Sequence, residues 1–287
     1  MKKVLSLFMA GVLALSLVGC GGKASGPADT EENQTKENQT EEKVEIVVFA
    51  AASMTETLER IAEKYKEIKP NVALTFNFDS SGTLKTQIEE GAECDIFISA
   101  AQKQMDQLDI EGSKEVNTSG LDFVDSSTRI NLLENRVALV VPEGNPKEIK
   151  NFEDMANKLK EKDMLLSMGN SDVPVGQYTQ KIFEFFHLNE EELGSSGAVT
   201  YGTNVKEVTT QVKEGSVDAG VVYCTDAFSA GLTIVDYATA EMCGQVIYPA
   251  AVMTNSKASK EAAAFLKYLQ GTEAVKIFEE VGFIAAK

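Results

Sequence analysis

Four short loops, each containing small or hydroxyl-bearing residues, follow apolar runs that predict strands and precede stretches with helical spacing. They are Ala52-Ser53-Met54, Ser80-Ser81-Gly82-Thr83, Pro174-Val175-Gly176 and Thr203-Asn204-Val205. The first turn of a helix leaves backbone N–H groups without an intrahelical acceptor and carries a partial positive charge. Several such ends that point at one place would bind an anion without help from Arg or Lys. Each loop alone also fits an ordinary helix cap, so this chemistry requires that the loops converge.

The elements around these loops alternate between strands and helices, which predicts an α/β fold. Val44–Phe49 is a β-branched run, and Leu58, Ile61 and Tyr65 behind it repeat at helical spacing. Further strands are predicted at residues 72–78, 95–99, 136–141, 165–168, 198–201, 219–223 and 245–252, and a terminal helical stretch at 260–278 is interrupted near Gly271. This rhythm indicates two mostly parallel sheets flanked by helices.

The order of the predicted strands and helices divides the chain into two similar α/β halves, so we expect two lobes with a ligand cleft between them. The first predicted lobe is residues 44–128 together with 240–287, and the second is residues 129–239. The chain is expected to cross between the lobes near residues 125–130 and 232–245. Ligands of open α/β sheets bind at the carboxyl ends of strands, and these ends would face the cleft.

The N-terminus predicts export. Lys2 and Lys3 precede an apolar stretch, Val4–Leu17, that is short for a membrane span and typical of a signal peptide, which we assign to residues 1–19. The end of this stretch, Leu17-Val18-Gly19-Cys20, resembles the lipobox of bacterial lipoproteins, so Cys20 is the expected lipidation site. Residues 20–43 contain few apolar side chains, which predicts a disordered tether.

The composition excludes several classes of function. The net charge of −17 becomes −19 once Lys2 and Lys3 leave with the signal peptide, which argues against nucleic acid as a partner. The negative net charge would also repel an anionic ligand at long range. Salt screens this repulsion over about 10 Å, whereas hydrogen bonds to a bound anion act at contact. Cys94, Cys224 and Cys243 show no CxxC spacing, so a zinc site is unsupported and their pairing stays open.

Longer segments around the loops resemble the periplasmic molybdate-binding protein family of ABC transporters. The similar segments are VVFAAASMTETLERIAEKY, FNFDSSGTLKTQIEEGAECDIFISAAQKQMDQL, VPVGQY and DAGVVYCTDA, and the resemblance covers about residues 44–287. It implies a two-lobe periplasmic-binding-protein fold of type II, without enzymatic activity and without a cofactor. The implied partners are a small oxyanion, molybdate or tungstate, and a membrane ABC permease. The protein would be an extracytoplasmic monomer, attached to the cell membrane through its N-terminal lipid anchor.

The resemblance also implies which residues hold the oxyanion, and all of them are neutral donors. They are the hydroxyl groups of Ser53, Ser81 and Tyr223 and the backbone N–H groups of Val175 and Val205. Val175 stands where family members commonly carry alanine, which matters little for a backbone donor but could narrow the pocket. N–H and O–H donors suit a fully deprotonated dianion, whereas a protonated phosphate would bring a donor that needs an acceptor. The metal is therefore bound as its oxyanion, without direct cation ligands.

Other interpretations stay open. The same fold could bind a sulfate-like oxyanion, or ferric iron through Tyr178, Tyr201 and Tyr223, although no two of these tyrosines are adjacent. A non-transport lipoprotein is a further alternative, as is an enzyme, but the sequence contains no G-x-S-x-G, H-E-x-x-H or Walker loop. The remaining polar candidates are predicted as caps, packing residues or hydrogen-bond partners; they are His187, Asp79, Asp95 and Asp226.

Overall fold

The computed structural model describes residues 42–286. The predicted signal peptide, the lipidation site Cys20 and nearly all of the predicted tether lie outside these residues. The strands are, in chain order, β1 (Val44–Ala51), β2 (Val72–Asp79), β3 (Ile96–Ile98), β4 (Ile130–Asn135), β5 (Val137–Val141), β6 (Leu166–Gly169), β7 (Val199–Gly202), β8 (Ala219–Tyr223), β9 (Thr233–Tyr237), β10 (Val246–Val252) and β11 (Ile284–Ala285). The α-helices are α1 (Thr55–Ile68), α2 (Ser81–Glu89), α3 (Gln102–Asp106), α4 (Phe152–Glu161), α5 (Pro174–Phe185), α6 (Glu190–Ser195), α7 (Val205–Lys213), α8 (Cys224–Ala230), α9 (Ala240–Cys243), α10 (Ser259–Leu269) and α11 (Thr272–Glu280).

Amphipathic spacing explains why the covering helices form, and residues such as Pro70 and Gly271 mark where they end. In α1, the buried side chains of Leu58, Ile61 and Tyr65 recur every three or four residues, and the helix packs against β2 and α11. The helix ends before Lys69 because Pro70 follows, and a residue before proline disfavours the helical conformation. The predicted interruption of the terminal helical stretch near Gly271 is confirmed by the break between α10 and α11.

The two sheets are mixed rather than mostly parallel. The first sheet has the strand order β11-β4-β10-β3-β1-β2, and the second has the order β7-β6-β8-β5-β9. β1 is parallel to β2 and β3, and β6 is parallel to β7 and β8, as the alternation of strands and helices predicts. In the first sheet β10 pairs antiparallel with β3 and β4, and β11 with β4; in the second, β5 pairs antiparallel with β8 and β9. The predicted two-sheet α/β fold is confirmed.

The first connection between the sheets differs in position from the predicted crossing, whereas the second lies within the predicted range of residues 232–245. Residues 130–135 form β4, which pairs with β10 and β11 in the first sheet, although the predicted boundary assigns them to the second lobe. The first crossing is therefore at Arg136, the single residue between β4 and β5. The second crossing lies between Tyr237 and Val246, because β9 still pairs with β5. Three consecutive polar residues, Glu134, Asn135 and Arg136, stand at the end of β4 and at the first crossing.

The parallel strands deliver the predicted loops to one region. β1 and β2 lead into α1 and α2, while β6, β7 and β8 lead into α5, α7 and α8. Parallel neighbours share the edge at which their carboxyl ends lie, so the starts of these five helices gather between the two sheets. Within residues 42–286, no helix combines the length and the apolar character needed to cross a membrane.

Candidate functional site

All five predicted donor residues lie around one cavity. Ser53 is in a single 3-10 turn between β1 and α1. Ser81 is the first residue of α2, Val205 is the first of α7 and Val175 is the second of α5. Tyr223 ends β8, directly before α8. The cavity has a volume of about 10 Å³, so elements of both sheets meet here at close range.

Two helix starts present backbone N–H groups to the cavity. At α5 the preceding residue supplies no side-chain cap, and Pro174 has no N–H, so Val175 carries the first N–H donor of the helix. At α7 the side chain of Asn204 accepts from the N–H groups of the second and third helical residues, at 3.0 and 3.2 Å. The N–H of Val205 is not among those that Asn204 satisfies. The residue that precedes each helix therefore leaves the valine N–H without a side-chain acceptor.

Ser80 and Ser81, the adjacent serines at the start of α2, form different hydrogen bonds. Ser80 is the helix cap, since its Oγ accepts from the Thr83 N–H at 3.1 Å. Ser81 is fully buried, and its Oγ accepts from the backbone N–H of Ala100 at 2.9 Å. Because this donor occupies one lone pair, the Ser81 hydroxyl proton is free to point into the cavity. The cap interpretation holds for Ser80 and not for Ser81.

Two hydroxyl groups from opposite sheets complete the donor set. The Ser53 Oγ lies 2.9 Å from the hydroxyl of Tyr248 in β10, and both side chains are buried. The buried hydroxyl of Tyr223 has no hydrogen-bond partner within residues 42–286. Burial, with smaller contributions from Tyr248 and Tyr178, raises the pKa of Tyr223 well above its ordinary value. Tyr223 is therefore a neutral phenol whose proton can be donated to a bound acceptor.

The cavity lining, within the described part of the chain, contains no Arg, Lys or His. Its one carboxylate belongs to Asp79, whose Oδ1 accepts from the N–H of Ser80 at 2.7 Å. An anion in this cavity would therefore be attracted by oriented N–H and O–H dipoles and by the positive ends of helices.

The two sides of the cavity touch each other. A Cβ atom placed on Gly82 of α2 would lie 2.1 Å from the backbone oxygen of Asp172, in the loop before α5. Only a glycine allows this approach. Lys206 of α7 also binds Glu56 of α1 with Nζ–Oε distances of 2.7 and 2.9 Å. Helices and loops that follow strands of the first sheet thus contact those that follow strands of the second sheet.

A comparison with known families decides the class of protein. The family described as "Bacterial extracellular solute-binding protein" matches residues 46–284. The chain belongs to this family. The predicted resemblance is confirmed, and this solute-binding protein is not an enzyme.

Two individual relatives and one solved structure show which solute-binding proteins this chain is similar to. The "Putative ABC transporter substrate-binding lipoprotein YvgL" of Bacillus subtilis is 33% identical over 288 residues, which cover 99% of this chain and 100% of the relative. The "Molybdate-binding protein ModA" of Haemophilus influenzae is 32% identical over 84% of this chain and 90% of its own length. A solved structure, the "substrate binding domain of putative molybdenum ABC transporter from Clostridium difficile", aligns with a TM-score of 0.62 at 31% identity, covering 85% of this chain and 100% of its own.

The three tyrosines of the iron interpretation do not form one site in this solute-binding protein. Tyr178 and Tyr223 pack edge to face with ring centroids 6.3 Å apart, but Tyr201 is 42% exposed and does not line the cavity. Burial raises the pKa of both Tyr178 and Tyr223, which opposes the phenolate form that binds iron. Residues 42–286 contain no group of three or more His, Cys, Asp or Glu that could hold a metal ion.

The other polar candidates take structural roles. His187 has a φ of 55° and occupies the left-handed position after α5, where its N–H donates to the Glu184 backbone oxygen at 3.1 Å. Asp95 accepts from the Val47 N–H at 2.8 Å. Three further residues, the cysteines Cys94, Cys224 and Cys243, are buried and unpaired with one another. Burial raises the pKa of the Cys94 thiol to about 12 and that of Cys243 to about 11, so these thiols are unreactive.

Several residues beside the site carry no local signal in the sequence. Tyr248 lies in a predicted strand and Asn135 ends a strand that was not predicted, yet both are buried behind Ser53. Gly82 resembles an ordinary glycine of a helix start. Asp226 resembles an ordinary first-turn cap, but its side chain is buried and both carboxylate oxygens lack a hydrogen-bond partner within residues 42–286. The spacing of residues along the chain cannot reveal these contacts, because each depends on a distant segment.

Proposed function

We propose that this solute-binding protein binds a fully deprotonated tetrahedral oxyanion, molybdate or tungstate, and delivers it to the membrane permease of an ABC importer. The observation that carries the proposal is the convergence of three hydroxyl and two backbone N–H donors on one cavity without a cationic side chain. A dianion has only acceptors to offer, and this site offers donors. The names of the ModA relative and of the solved transporter domain support the same class of ligand.

The donor set is strong enough for tight binding. A hydrogen bond to a charged acceptor contributes roughly 1.5 to 3 kcal/mol net, so five of them contribute on the order of 10 kcal/mol. A dissociation constant of 1 μM corresponds to about −8 kcal/mol, so submicromolar affinity is within reach. Some donors follow strands of the first sheet and the others follow or end strands of the second. The anion can therefore be held by all of them only when the two sides of the cavity close around it.

Closure and anchoring complete the proposed transport cycle. We infer two lobes, each built on one sheet, that move about the crossings at Arg136 and at residues 238–245. The protein acts as a monomer outside the cytoplasm, held at the membrane by a lipid on Cys20. The lipobox-like sequence at Cys20 supports this attachment, as does the lipoprotein named among its relatives. The tether would let the receptor reach its permease.

Isothermal titration calorimetry with molybdate, tungstate, sulfate and phosphate tests the function. We expect submicromolar dissociation constants for molybdate and tungstate, because both are fully deprotonated and offer only acceptors to the five donors. Phosphate should bind at least about a hundredfold more weakly, because its protonated oxygen is a poorer acceptor for the surrounding N–H and O–H donors than a deprotonated oxygen. Tighter binding of sulfate than of molybdate would reassign the ligand, and no binding of any of the four anions would refute the proposal.

Replacement of either serine donor should weaken the complex without unfolding the protein. Ser53→Ala and Ser81→Ala each remove one hydrogen bond to the anion, so each should cost about 1 to 3 kcal/mol of binding free energy, measured by the same titration. Ser167→Ala is the matched control, since Ser167 is fully buried in β6 and does not line the cavity. Unchanged affinity in both donor variants would show that the anion does not bind at the proposed site.

A further inference from the structure

A chain of buried polar side chains lies directly behind Ser53. The hydroxyl of Tyr248 is 2.9 Å from the Ser53 Oγ, and the Nδ2 group of Asn135 donates to the Tyr248 hydroxyl at 3.2 Å. Tyr248 is fully buried and Asn135 is only 6% exposed. Neither side chain lines the cavity. Their effect on a bound anion must therefore pass through Ser53.

The orientation of the Asn135 amide is fixed by its neighbours. Its Oδ1 accepts from the backbone N–H of Arg136 at 2.8 Å and from the thiol of Cys224 at 3.2 Å. A flipped amide would turn its N–H group against the Arg136 N–H, which can only donate, so the unflipped orientation is preferred. The Nδ2 group consequently faces Tyr248 and also donates to the Thr225 Oγ1 at 3.0 Å.

This fixed amide favours one direction for the hydrogen bond between Tyr248 and Ser53, in which either hydroxyl can donate. Because the Tyr248 oxygen accepts from Asn135, the phenol proton is available for the Ser53 Oγ. When Ser53 accepts that proton, its own proton points away from Tyr248 and can be donated into the cavity. Ser81 is oriented by the same principle, with the backbone N–H of Ala100 in the place of Tyr248. Hydrogen bonds aligned in one direction also strengthen one another.

We propose that Asn135 and Tyr248 are positioning residues that form a hydrogen-bond relay and turn Ser53 into an oriented donor for the bound oxyanion. This inference rests on the proposed function. Asn135 ends β4, beside the crossing at Arg136, and its side chain also contacts Thr225 and Cys224 of α8. The relay therefore connects the donor on the first sheet to the segment that joins the two sheets. A disturbed crossing would misdirect Ser53 even though the serine itself is unchanged.

A double-mutant cycle tests the relay, with molybdate binding to the purified protein measured by titration calorimetry. Tyr248→Phe keeps the ring and removes the hydroxyl, and we expect about a tenfold weaker complex in the otherwise unchanged protein. In the Ser53→Ala background the same substitution should change the affinity less than about twofold, because its effect passes through the absent serine. Tyr65→Phe is the matched control, as Tyr65 is a buried tyrosine that packs against Phe265 and Tyr268.

The outcomes separate the relay from a general packing effect and from the proposed function itself. An equal loss of affinity for Tyr248→Phe in both backgrounds, or no loss in either, overturns the relay. Asn135→Asp supplies a second variant, since a carboxylate would draw the Tyr248 proton towards itself; it should weaken binding at least as much as Tyr248→Phe, and normal binding would contradict the relay. Absence of molybdate binding by the unmutated protein would instead overturn the proposed function.

Discussion

Substitution of Gly82 by alanine is expected to abolish tight oxyanion binding while leaving the protein folded. The new Cβ atom would lie 2.1 Å from the backbone oxygen of Asp172, so the two sides of the cavity would have to stay about an ångström further apart at this point. Asp172 lies three residues before Val175, so the same displacement withdraws a backbone donor from the anion. Loss of the contacts across the cleft should weaken binding at least about a hundredfold, or roughly 2.7 kcal/mol.

The fold should tolerate this change, because Gly82 lies in the first turn of α2 and alanine is the better helix former by about 1 kcal/mol. Gly194→Ala is the matched control: it also lies in a helix, and its Cβ would meet only the end of the Tyr201 side chain, at 3.1 Å. Titration calorimetry measures the affinity, and small-angle scattering with saturating molybdate measures closure. Affinity within threefold of the unmutated protein would show that the Gly82 contact is not needed for binding.

The local elements around the site are largely predictable from the sequence. The strand β1 is mainly an apolar run, β2 alternates apolar and polar residues from Leu74 onwards, and the helices that follow show apolar residues at three- and four-residue spacing, as in α1. These patterns reflect burial on one face, which is decided over a few neighbouring residues. Only the family resemblance predicts the donor residues themselves, since a loop such as Ser80-Ser81 fits a cap equally well.

The features that the sequence did not predict depend on long-range contacts. β4 and β9 lie beside the crossings, and their sheet is set by pairing with β10 and β5 rather than by their own composition. The hydrogen bond between Asn135 and Tyr248 joins residues 113 positions apart. Gly82 needs its small size only because of Asp172 on the opposite side of the cleft. Such constraints arise from the assembled fold and leave no periodic signal.

Removal of the buried charge of Asp226 is expected to stabilise the protein at alkaline pH. Both carboxylate oxygens are buried without a hydrogen-bond partner within residues 42–286. The nearest cation, Lys206, lies 3.8 Å from Oδ1 and is shared with Glu56. Burial raises the pKa of Asp226 from 3.8 to about 7; Lys206 lowers it and Glu56 raises it to smaller extents. Tyr223, Tyr248 and Cys224 are the other titratable groups whose pKa this carboxylate influences.

The sign of the pH dependence follows from proton binding. Between pH 3.8 and about 7 the folded protein holds a proton on Asp226 that the unfolded chain has released. Its contribution to the free energy of unfolding is therefore greatest at low pH and falls as pH rises through this window. Above pH 7 both states are ionised, and the folded state carries a constant penalty of about 4 kcal/mol, since one pKa unit corresponds to 1.36 kcal/mol.

Asp226→Asn keeps the shape of the side chain and removes the charge, so the variant should lose this dependence. We expect it to be more stable than the unmutated protein by a few kcal/mol at pH 8 and nearly equal to it at pH 4, measured by urea unfolding across the pH range. Asp163→Asn, which alters an exposed carboxylate paired with Lys147, is the control and should not reproduce the alkaline gain. A variant that is less stable than the unmutated protein at pH 8 would mean that the folded state gains from the Asp226 charge through its attraction to Lys206.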